Sequence, residues 1–313
     1  MDIGGANAKA ARLHDGTLRT ITRPFEIWRD RDALATVLRE LAAEAGPAED
    51  VAITMTAELS DAFRTKREGV AFVLDAAEDA LGEPLVLTVA GELVPVAQAR
   101  TRPWDVAAAN WMATALAVAD AHRDALLIDV GSTTADVIPI VGGRVAATGR
   151  NDLERLLAGE LVYTGVLRTN LAAIAPAVPV RGAMCPVAAE WFAISADVHL
   201  VLGCLDSYDC PTPDGRPATV EFARERISRL VCSDVEQLDA GEIDAIAAFL
   251  HAEQVRQIEA AARRVAPPDA PVVAVGAGAH LAREVAERLG RPAIDFGLGP
   301  AAALATLLAT RSC

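Results

Sequence analysis

The stretch that decides the fold reads Asp129-Val130-Gly131-Ser132-Thr133-Thr134-Ala135-Asp136, and residues 2–9 repeat its design at the start of the chain. Each stretch begins with an aspartate at the end of a predicted strand, continues as a loop of small residues and leads into a hairpin that turns at a glycine. An overlay without a gap matches Asp2 with Asp129, Gly4 with Gly131, Gly16 with Gly143 and Arg23 with Arg150. The repeat predicts an internal duplication, with chance similarity of two glycine-rich hairpins as the alternative.

Length and composition limit the class of protein. The chain has 313 residues, 52% of them hydrophobic, which suits two domains of ordinary size. Its longest uncharged stretches, such as residues 106–119 and 296–310, are shorter than the roughly 18 residues that cross a bilayer, and no signal-peptide pattern is visible. The formal net charge of −14 disfavours nucleic acid and anionic membranes as partners.

The cysteines indicate the compartment. Five of them, an odd number, in a chain without a secretion pattern predict a reduced, cytoplasmic protein. The oligomeric state is left open, and a homo-oligomer is one of the states that the sequence allows.

Loops of small residues would allow such an acidic chain to bind an anion. Backbone N–H groups approach a phosphate closely where no Cβ intervenes, and a third loop, at residues 275–278, opens a helix whose first N–H groups are free. The predicted phosphate- or nucleotide-binding residues are Gly4, Gly5, Ala6, Asn7 and Lys9, then Gly131, Ser132, Thr133 and Thr134, then Gly276, Ala277 and Gly278. Carboxylates beside phosphates usually hold Mg²⁺, so the predicted magnesium ligands are Asp2, Asp129 and Asp136.

These loops, in this order, resemble those of the superfamily of actin, the sugar kinases and Hsp70. The resemblance implies an α/β fold with two ribonuclease-H-like domains that flank a central cleft, where two phosphate loops and an adenosine loop bind ATP or ADP. It implies a first domain over residues 1–103, an interdomain helix over 104–122, a second domain over 123–299 with an insertion at about 152–218, and a closing helix over 300–313 that packs back onto the first domain. Because Asp2 directly follows Met1, either the first strand is truncated or the start of the sequence is set too late.

Longer runs narrow the resemblance. They are Asp2–Asn7, Thr54–Val70, Gly159–Thr169 and Asp214–Thr219. With them the chain resembles the hydantoinase/oxoprolinase-like proteins linked to tetrahydromethanopterin C1 transfer, whose archaeal members are methanofuran-biosynthesis synthases. The resemblance implies a transferase that joins an aminomethylfuran-methyl diphosphate to the phenol oxygen of a γ-glutamyl-tyramine-like acceptor and releases diphosphate. These two small molecules, a diphosphate and a phenolic amine, are the implied partners.

A charged segment at residues 58–68 follows a predicted buried strand, so it starts at the carboxyl end of that strand, where open α/β sheets build sites. Its spacing predicts a helix on which Asp61, Arg64 and Glu68 share one face. In the implied reaction a carboxylate takes the phenolic proton, and basic side chains bind the diphosphate or an acceptor carboxylate. The predicted catalytic residues are Glu58, Asp61, Arg64 and Lys66, with Arg67 as a substrate-binding residue. A solvated, salt-bridged helix start is the alternative.

A further group combines a Thr-Gly pair, which suits a close backbone approach to a ligand, with an arginine that suits a carboxylate. The predicted substrate-binding residues of this group are Glu160, Tyr163, Thr164 and Arg168. The alternative is a turn capped by the threonine beside a core tyrosine.

Potential transition-metal ligands also occur, but without a recognisable motif. They are His199, Cys204, Asp206, Asp209 and Cys210, whose spacing matches no Cys-x-x-Cys pattern. A reduced, partly buried cluster is favoured over a structural zinc. The other histidines are predicted to be surface or capping residues: His14, His122, His251 and His280.

Two other functions remain open at this point. One is an ATP-dependent small-molecule kinase or a hydantoinase/oxoprolinase-type hydrolase, which ATP turnover would distinguish. The other is a non-catalytic nucleotide sensor, which would have no need of the charged segment at residues 58–68.

Overall fold

The computed structural model describes residues 1–311, and the last two residues of the predicted closing helix lie outside this part. Two compact units divide the chain. The first combines residues 1–124, residues 140–157 and the chain from Gly297 onward, and the second combines residues 125–139 and 158–296. These limits differ from the predicted domain boundaries, since residues 104–122 and 140–157 both belong to the first unit.

One mixed sheet forms the centre of the first unit. Its strands are β1 (Asp2–Ile3), β2 (Asn7–His14), β3 (Thr17–Pro24), β4 (Ala52–Met55), β5 (Leu85–Leu87) and β6 (Leu93–Pro95). Their order is β3-β2-β1-β4-β5-β6. The two-residue β1 is antiparallel to β2 and parallel to β4.

The helices of the first unit cover this sheet. They are α1 (Leu34–Ala45), α2 (Lys66–Leu81), α3 (Val96–Thr101), α4 (Pro103–Val106), α5 (Asn110–Ala121) and α11 (Pro300–Arg311), together with most of α6 (Asp152–Ala158). Leu34, Leu38 and Leu41 are fully buried on α1, at the spacing of one helical face. The closing helix α11 packs on α5 and β2.

The helix predicted over residues 104–122 is interrupted at residues 107–109. Helix α4 ends at Val106 and α5 begins at Asn110. Between them Ala107 is extended and Ala108 has a φ of 49°, in the left-handed region that interrupts an α-helix. Alanine-rich composition alone therefore did not predict the break.

The second unit is built on a sheet of the same strand order. Its strands are β7 (Ala125–Val130), β8 (Ala135–Val141), β10 (Leu161–Val162), β13 (Val272–Val275) and β14 (Ala293–Asp295), in the order β10-β8-β7-β13-β14. The short β9 (Arg144–Val145) pairs with the end of β8. Because β2-β1-β4-β5 and β8-β7-β13-β14 correspond, the predicted α/β fold with two ribonuclease-H-like sheets is confirmed.

Four helices and a small hairpin complete the second unit. They are α7 (Ser195–Val201), α8 (Val220–Ser228), α9 (Ala240–Val265), α10 (Ala279–Leu289) and the pair β11 (Ala177–Val180) and β12 (Ala183–Pro186). The long α9 packs against α7, α8 and α10. Among residues 1–311, no helix combines the length and apolar character needed to cross a bilayer.

A buried ion pair ties the insertion to this helical layer. The Arg226 guanidinium and the Asp197 carboxylate are both fully buried and lie 2.6 Å apart. The Tyr208 hydroxyl donates to the same Asp197 oxygen at 2.6 Å, and Arg226 also reaches Asp214 at 3.2 Å. These contacts hold the loop from residue 206 to 217 at Tyr208 and at Asp214.

Candidate functional site

The two small-residue loops have the same backbone turn. The Gly4 N–H donates to the Asn7 carbonyl at 3.0 Å, and the Gly131 N–H donates to the Thr134 carbonyl at 2.9 Å. A Cβ on Gly4 would lie 2.8 Å from the Asn7 oxygen, so the first turn requires glycine there. The two loops that the sequence overlay matched therefore close with the same backbone hydrogen bond.

The hairpins that follow the loops match as well. The first turns at Asp15 and Gly16 and the second at Gly142 and Gly143, all with positive φ. Two such residues in succession form the turn that best suits the twist of paired strands. The aspartates that precede the loops are also alike, because Asp2 is 6% exposed and Asp129 is 7% exposed.

In the second unit, two of the predicted loops lie together. Strand β13 pairs in parallel with β7, which sets Val275 opposite Asp129. A Cβ on Gly276, whose φ is +88°, would lie 2.4 Å from the Val130 oxygen and 2.5 Å from Asp129 Oδ1. The Gly278 N–H donates to the Val130 carbonyl at 2.9 Å. The glycine turn therefore lies directly against the Asp129 carboxylate.

The segment at residues 163–168 packs on the other side of this loop. A Cβ on Gly165 would lie 2.4 Å from the Thr133 nitrogen. The Val166 N–H donates to the Gly131 carbonyl at 3.0 Å, and the Arg168 N–H donates to the Ser132 carbonyl at 2.9 Å. The backbone at the Thr-Gly pair therefore packs closely against the loop and fixes its position.

The other members of this group differ in exposure. Glu160 is buried, and Thr164 is fully buried with its hydroxyl accepting a hydrogen bond from Gln254 Nε2 at 2.8 Å. Tyr163 is 61% exposed, so the alternative of a core tyrosine is wrong. Arg168 is half-buried, and its role and that of Tyr163 as ligand contacts remain predictions.

Glu58 is the most unusual carboxyl of the predicted set in the first unit. It lies in one 3₁₀ turn, Ala57–Leu59, directly after β4, and is 1% exposed. A Cβ on Gly69 of α2 would lie 2.4 Å from the Glu58 carbonyl oxygen, so glycine lets the helix start pack onto this turn. Neither carboxyl oxygen has a hydrogen bond to any residue within 1–311.

Burial raises the pKa of the Glu58 carboxyl from 4.5 to about 7. The nearby amides of Glu58 and Ala108 and the positive charge of Lys66 lower that pKa, but less than burial raises it. A buried carboxyl that is half ionised near neutral pH is suited to take or give a proton.

Lys66, the first residue of α2, has a partner that no local pattern indicates. Its Nζ lies 2.5 Å from Asp152 Oδ2, and both side chains are about four-fifths buried. Asp152 is 86 residues away and begins α6. Sequence reasoning missed it because the ion pair arises only when residues 140–157 pack within the first unit.

The predicted helical face of the charged segment is wrong. Helix α2 begins at Lys66, so Asp61 and Arg64 lie in the turn before it and are exposed. The Thr65 hydroxyl accepts from the Glu68 N–H at 3.2 Å, and the Glu68 carboxylate accepts from the Arg64 N–H at 3.1 Å. These contacts satisfy free N–H groups and fix the helix start, as such capping residues commonly do.

Arg67 is exposed on the first turn of α2. Its guanidinium lies 5.8 Å from the centre of the Trp104 ring. A different arginine, Arg155, is 2% exposed and lies 4.3 Å from the centre of the Trp111 ring. Its burial could not be predicted from a sequence in which arginines are common and usually exposed.

Comparison with known proteins shows the family to which the chain belongs. Residues 49–311 match the family model for hydantoinase/oxoprolinase. The chain belongs to the hydantoinase/oxoprolinase family, so the predicted family is confirmed.

Two curated relatives carry the same name, (4-{4-[2-(gamma-L-glutamylamino)ethyl]phenoxymethyl}furan-2-yl)methanamine synthase. The protein from Methanocaldococcus jannaschii is 34% identical over 98% of this chain and 93% of its own length. The protein from Methanococcus vannielii is 43% identical over 38% of this chain and 54% of its own length. Since both relatives are named as synthases, the prediction of an enzyme is confirmed.

Solved structures with a similar arrangement have little sequence in common with this chain. The ethanolamine utilization protein EutJ from Carboxydothermus hydrogenoformans is 14% identical, with a TM-score of 0.49 over 98% of this chain and 87% of that one. Acetone carboxylase in a nucleotide-free structure is also 14% identical, with a TM-score of 0.47 over 96% of this chain and 51% of that one.

Proposed function

We propose that this chain forms the aryl ether that its relatives are named for. Their name describes a phenoxymethyl group that joins a γ-glutamylaminoethyl-substituted ring to a furan methanamine. The bond made is therefore the one between the phenol oxygen and the methylene carbon on the furan. Identity of 34% over 98% of the chain supports this reaction over a kinase or a hydrolase.

The reaction requires the transfer of one proton and the loss of one leaving group. The acceptor phenol, with an ordinary pKa of about 10, gives its proton to a base. Its oxygen then attacks the furfuryl methylene as the carbon–oxygen bond to diphosphate breaks, and the diphosphate departs as an anion. The enzyme must provide the base, exclude water from the furfuryl carbon and hold the diphosphate.

Glu58 carries the proposal as the base. Its carboxyl is buried, has a pKa of about 7 and makes no hydrogen bond to a described residue. A group with these properties takes a proton efficiently near neutral pH. Asp61, the alternative base, is exposed.

The leaving diphosphate is assigned to the small-residue loops. In the second unit Gly165 packs against Ser132 and Thr133 of the turn at Gly131–Thr134, and Gly276 packs against Asp129 and Val130 just before it. Exposed N–H groups and the Ser132 and Thr133 hydroxyls are suitable donors to phosphate oxygens. In the first unit, Gly4, Asn7 and Lys9 are the proposed counterparts.

Proteins of this fold often bind nucleotide and a metal ion, and we assign the predicted magnesium ligands Asp2, Asp129 and Asp136 to this role. The Asp129 carboxylate fits the role of a magnesium ligand. It is nearly buried, and a Cβ on Gly276 would lie 2.5 Å from its Oδ1, so glycine leaves room beside it. A bound Mg²⁺ would neutralise the charge of the departing diphosphate. ATP or ADP remains a further proposed ligand of the same loops.

Turnover of synthetic substrates tests the reaction. The purified full-length chain is incubated with aminomethylfuran-methyl diphosphate, γ-glutamyl-tyramine and Mg²⁺ without ATP, and the ether product and free diphosphate are measured by mass spectrometry and a coupled assay. We expect the two products in equal amounts. Consumption of ATP with no ether formed would contradict the proposal.

Three variants test the base. Glu58→Gln should lower kcat about 10²- to 10⁴-fold, the usual contribution of a general base, and wild-type kcat should rise with pH up to about 7 as Glu58 ionises. Asp61→Asn should retain activity near the wild-type level. Glu83→Gln, an exposed carboxyl just after α2, is the matched control. Loss of activity in Asp61→Asn but not in Glu58→Gln would assign the base to Asp61.

A further inference from the structure

Three histidines and a cysteine of the second unit lie together, and the proposed ether-forming reaction uses none of them. His199 lies on α7, His251 on α9 and His280 on α10, and Cys204 follows α7. One ligand atom each of His199, Cys204 and His251 lies within 4.8 Å of the others. The His199 ring centre is 5.0 Å from that of His280 and 5.4 Å from that of His251.

The backbone places Cys204 beside His199. Gly203 has a φ of +69°, which turns the chain sharply after α7. The Cys204 N–H and the Leu205 N–H both donate to the His199 carbonyl, at 2.8 and 3.1 Å. A histidine on the last turn of a helix and a cysteine just past its end therefore form one unit.

The hydrogen bonds leave one nitrogen of each of two rings available. His199 Nε2 lies 2.9 Å from Gln254 Oε1, and His251 Nε2 lies 2.7 Å from Glu284 Oε2. Each of these nitrogens donates to its oxygen partner, which leaves Nδ1 with a lone pair. The buried His251 Nδ1 has no hydrogen-bond partner among residues 1–311. Metal-bound histidines typically show this pattern, with the second nitrogen held by a carboxylate or amide.

The distance between two of the rings suits a tetrahedral site. His280 Nε2 lies 3.3 Å from His199 Nδ1, and ligand atoms of a tetrahedral zinc site lie about 3.3 to 3.6 Å apart.

We propose that His199, Cys204, His251 and His280 bind one zinc ion, with Gln254 and Glu284 orienting two of the imidazoles. Cys204 is exposed, so the ion has access from solvent. The site joins α7, α9 and α10, which supply its ligands. His280, whose Nε2 lies 3.3 Å from His199 Nδ1, is the proposed fourth ligand, and with it the site would be a closed, structural one.

The site is connected to the second small-residue loop through one side chain. Gln254 Nε2 donates to the Thr164 hydroxyl and to the Gly165 carbonyl, both at 2.8 Å, while Gln254 Oε1 contacts His199. Gly165 in turn packs against Thr133. Zinc would therefore hold Gln254 in the orientation that supports the loop.

Metal binding by the full-length chain tests the proposal without any activity assay. The protein is freed of metal with a chelator and titrated with Zn²⁺ by calorimetry, and with Co²⁺ followed by absorption spectroscopy. We expect about one ion per chain, tetrahedral cobalt bands and a sulfur-to-cobalt charge-transfer band. Circular dichroism of each variant checks that it is folded.

Variants separate this site from surface binding. Cys204→Ser should abolish the charge-transfer band, and His251→Ala should weaken Zn²⁺ binding at least 100-fold. Glu284→Gln, which changes only an orienting group, should weaken it about 10- to 100-fold. Cys232→Ser and His14→Ala, both exposed and outside the cluster, are the matched controls.

Two results would overturn the zinc site. The first is a wild-type cobalt complex without a sulfur band, which would mean that Cys204 is not a ligand. The second is equal affinity in His251→Ala and His14→Ala, which would mean adventitious surface binding only.

Discussion

At the scale of single residues, Glu58 links stability to pH. Its carboxyl has a pKa of about 7 in the folded chain and an ordinary value of 4.5. The folded state therefore binds the proton more tightly than the unfolded state does. As the pH rises from 4.5 to 7, the unfolded chain ionises first, and the free energy of unfolding falls.

Glu58→Gln removes this pH dependence. Relative to wild type, we expect the variant to gain about 2 to 3 kcal/mol of unfolding free energy between pH 5 and pH 8, since each pKa unit corresponds to 1.36 kcal/mol. Urea unfolding at several pH values measures the gain. Glu83→Gln, with an exposed carboxyl, should show no such trend. If the unfolding free energies of Glu58→Gln and wild type differ by the same amount at every pH, burial does not raise the pKa of Glu58.

The sequence alone predicted only some of the contacts in the candidate sites. Gly4 and Gly131 could be matched from the sequence because glycine at a tight turn is a local requirement, and their turns are the same. The pairing of Lys66 with Asp152 and the burial of His251 beside Glu284 could not, because they depend on which distant segments pack together. Histidines without a motif were predicted to be surface residues for the same reason.

At the scale of elements, the buried Arg226–Asp197 pair holds α8 against α7. Loss of one partner leaves the other charge buried, which costs about 3 to 5 kcal/mol. We therefore expect Asp197→Leu to destabilise the chain by about that amount. The double variant Asp197→Leu with Arg226→Met should be less destabilised than the sum of the single variants.

A double-mutant cycle in urea measures this coupling. The exposed pair Arg181–Glu242, whose nitrogen and oxygen lie 2.8 Å apart, is the control and should give a coupling of about 1 kcal/mol or less. Additive effects of Asp197→Leu and Arg226→Met would show that the two side chains do not stabilise each other.

Helix limits were the weakest sequence predictions at this scale. The start of α2 was placed too early because charged residues at i, i+3 and i+4 occur in turns as well as in helices. Thr65 and Glu68 carry the better pattern, a capping pair three residues apart. The break at Ala108 had no comparable pattern, since neither glycine nor proline occurs there.

At the scale of the whole molecule, the first unit depends on the end of the chain. Helix α11 packs on α5, β2 and β4. We expect a chain that stops at residue 296 to lose hydrogen-exchange protection in α5 and β2. Strands β7 and β13 belong to the second unit, of which α11 is not a part. They should keep their hydrogen-exchange protection and serve as an internal control. Full protection of α5 in the shortened chain would contradict this dependence.

The chain passes between the two units four times, near residues 124, 139, 157 and 296. During synthesis on the ribosome, the first 124 residues therefore emerge without two of the segments that complete their unit. Their apolar strands stay uncovered by α11 until that helix, Pro300–Arg311, has been synthesised. Such a chain is expected to need a holding chaperone while it is translated, and to be sensitive to truncation before α11.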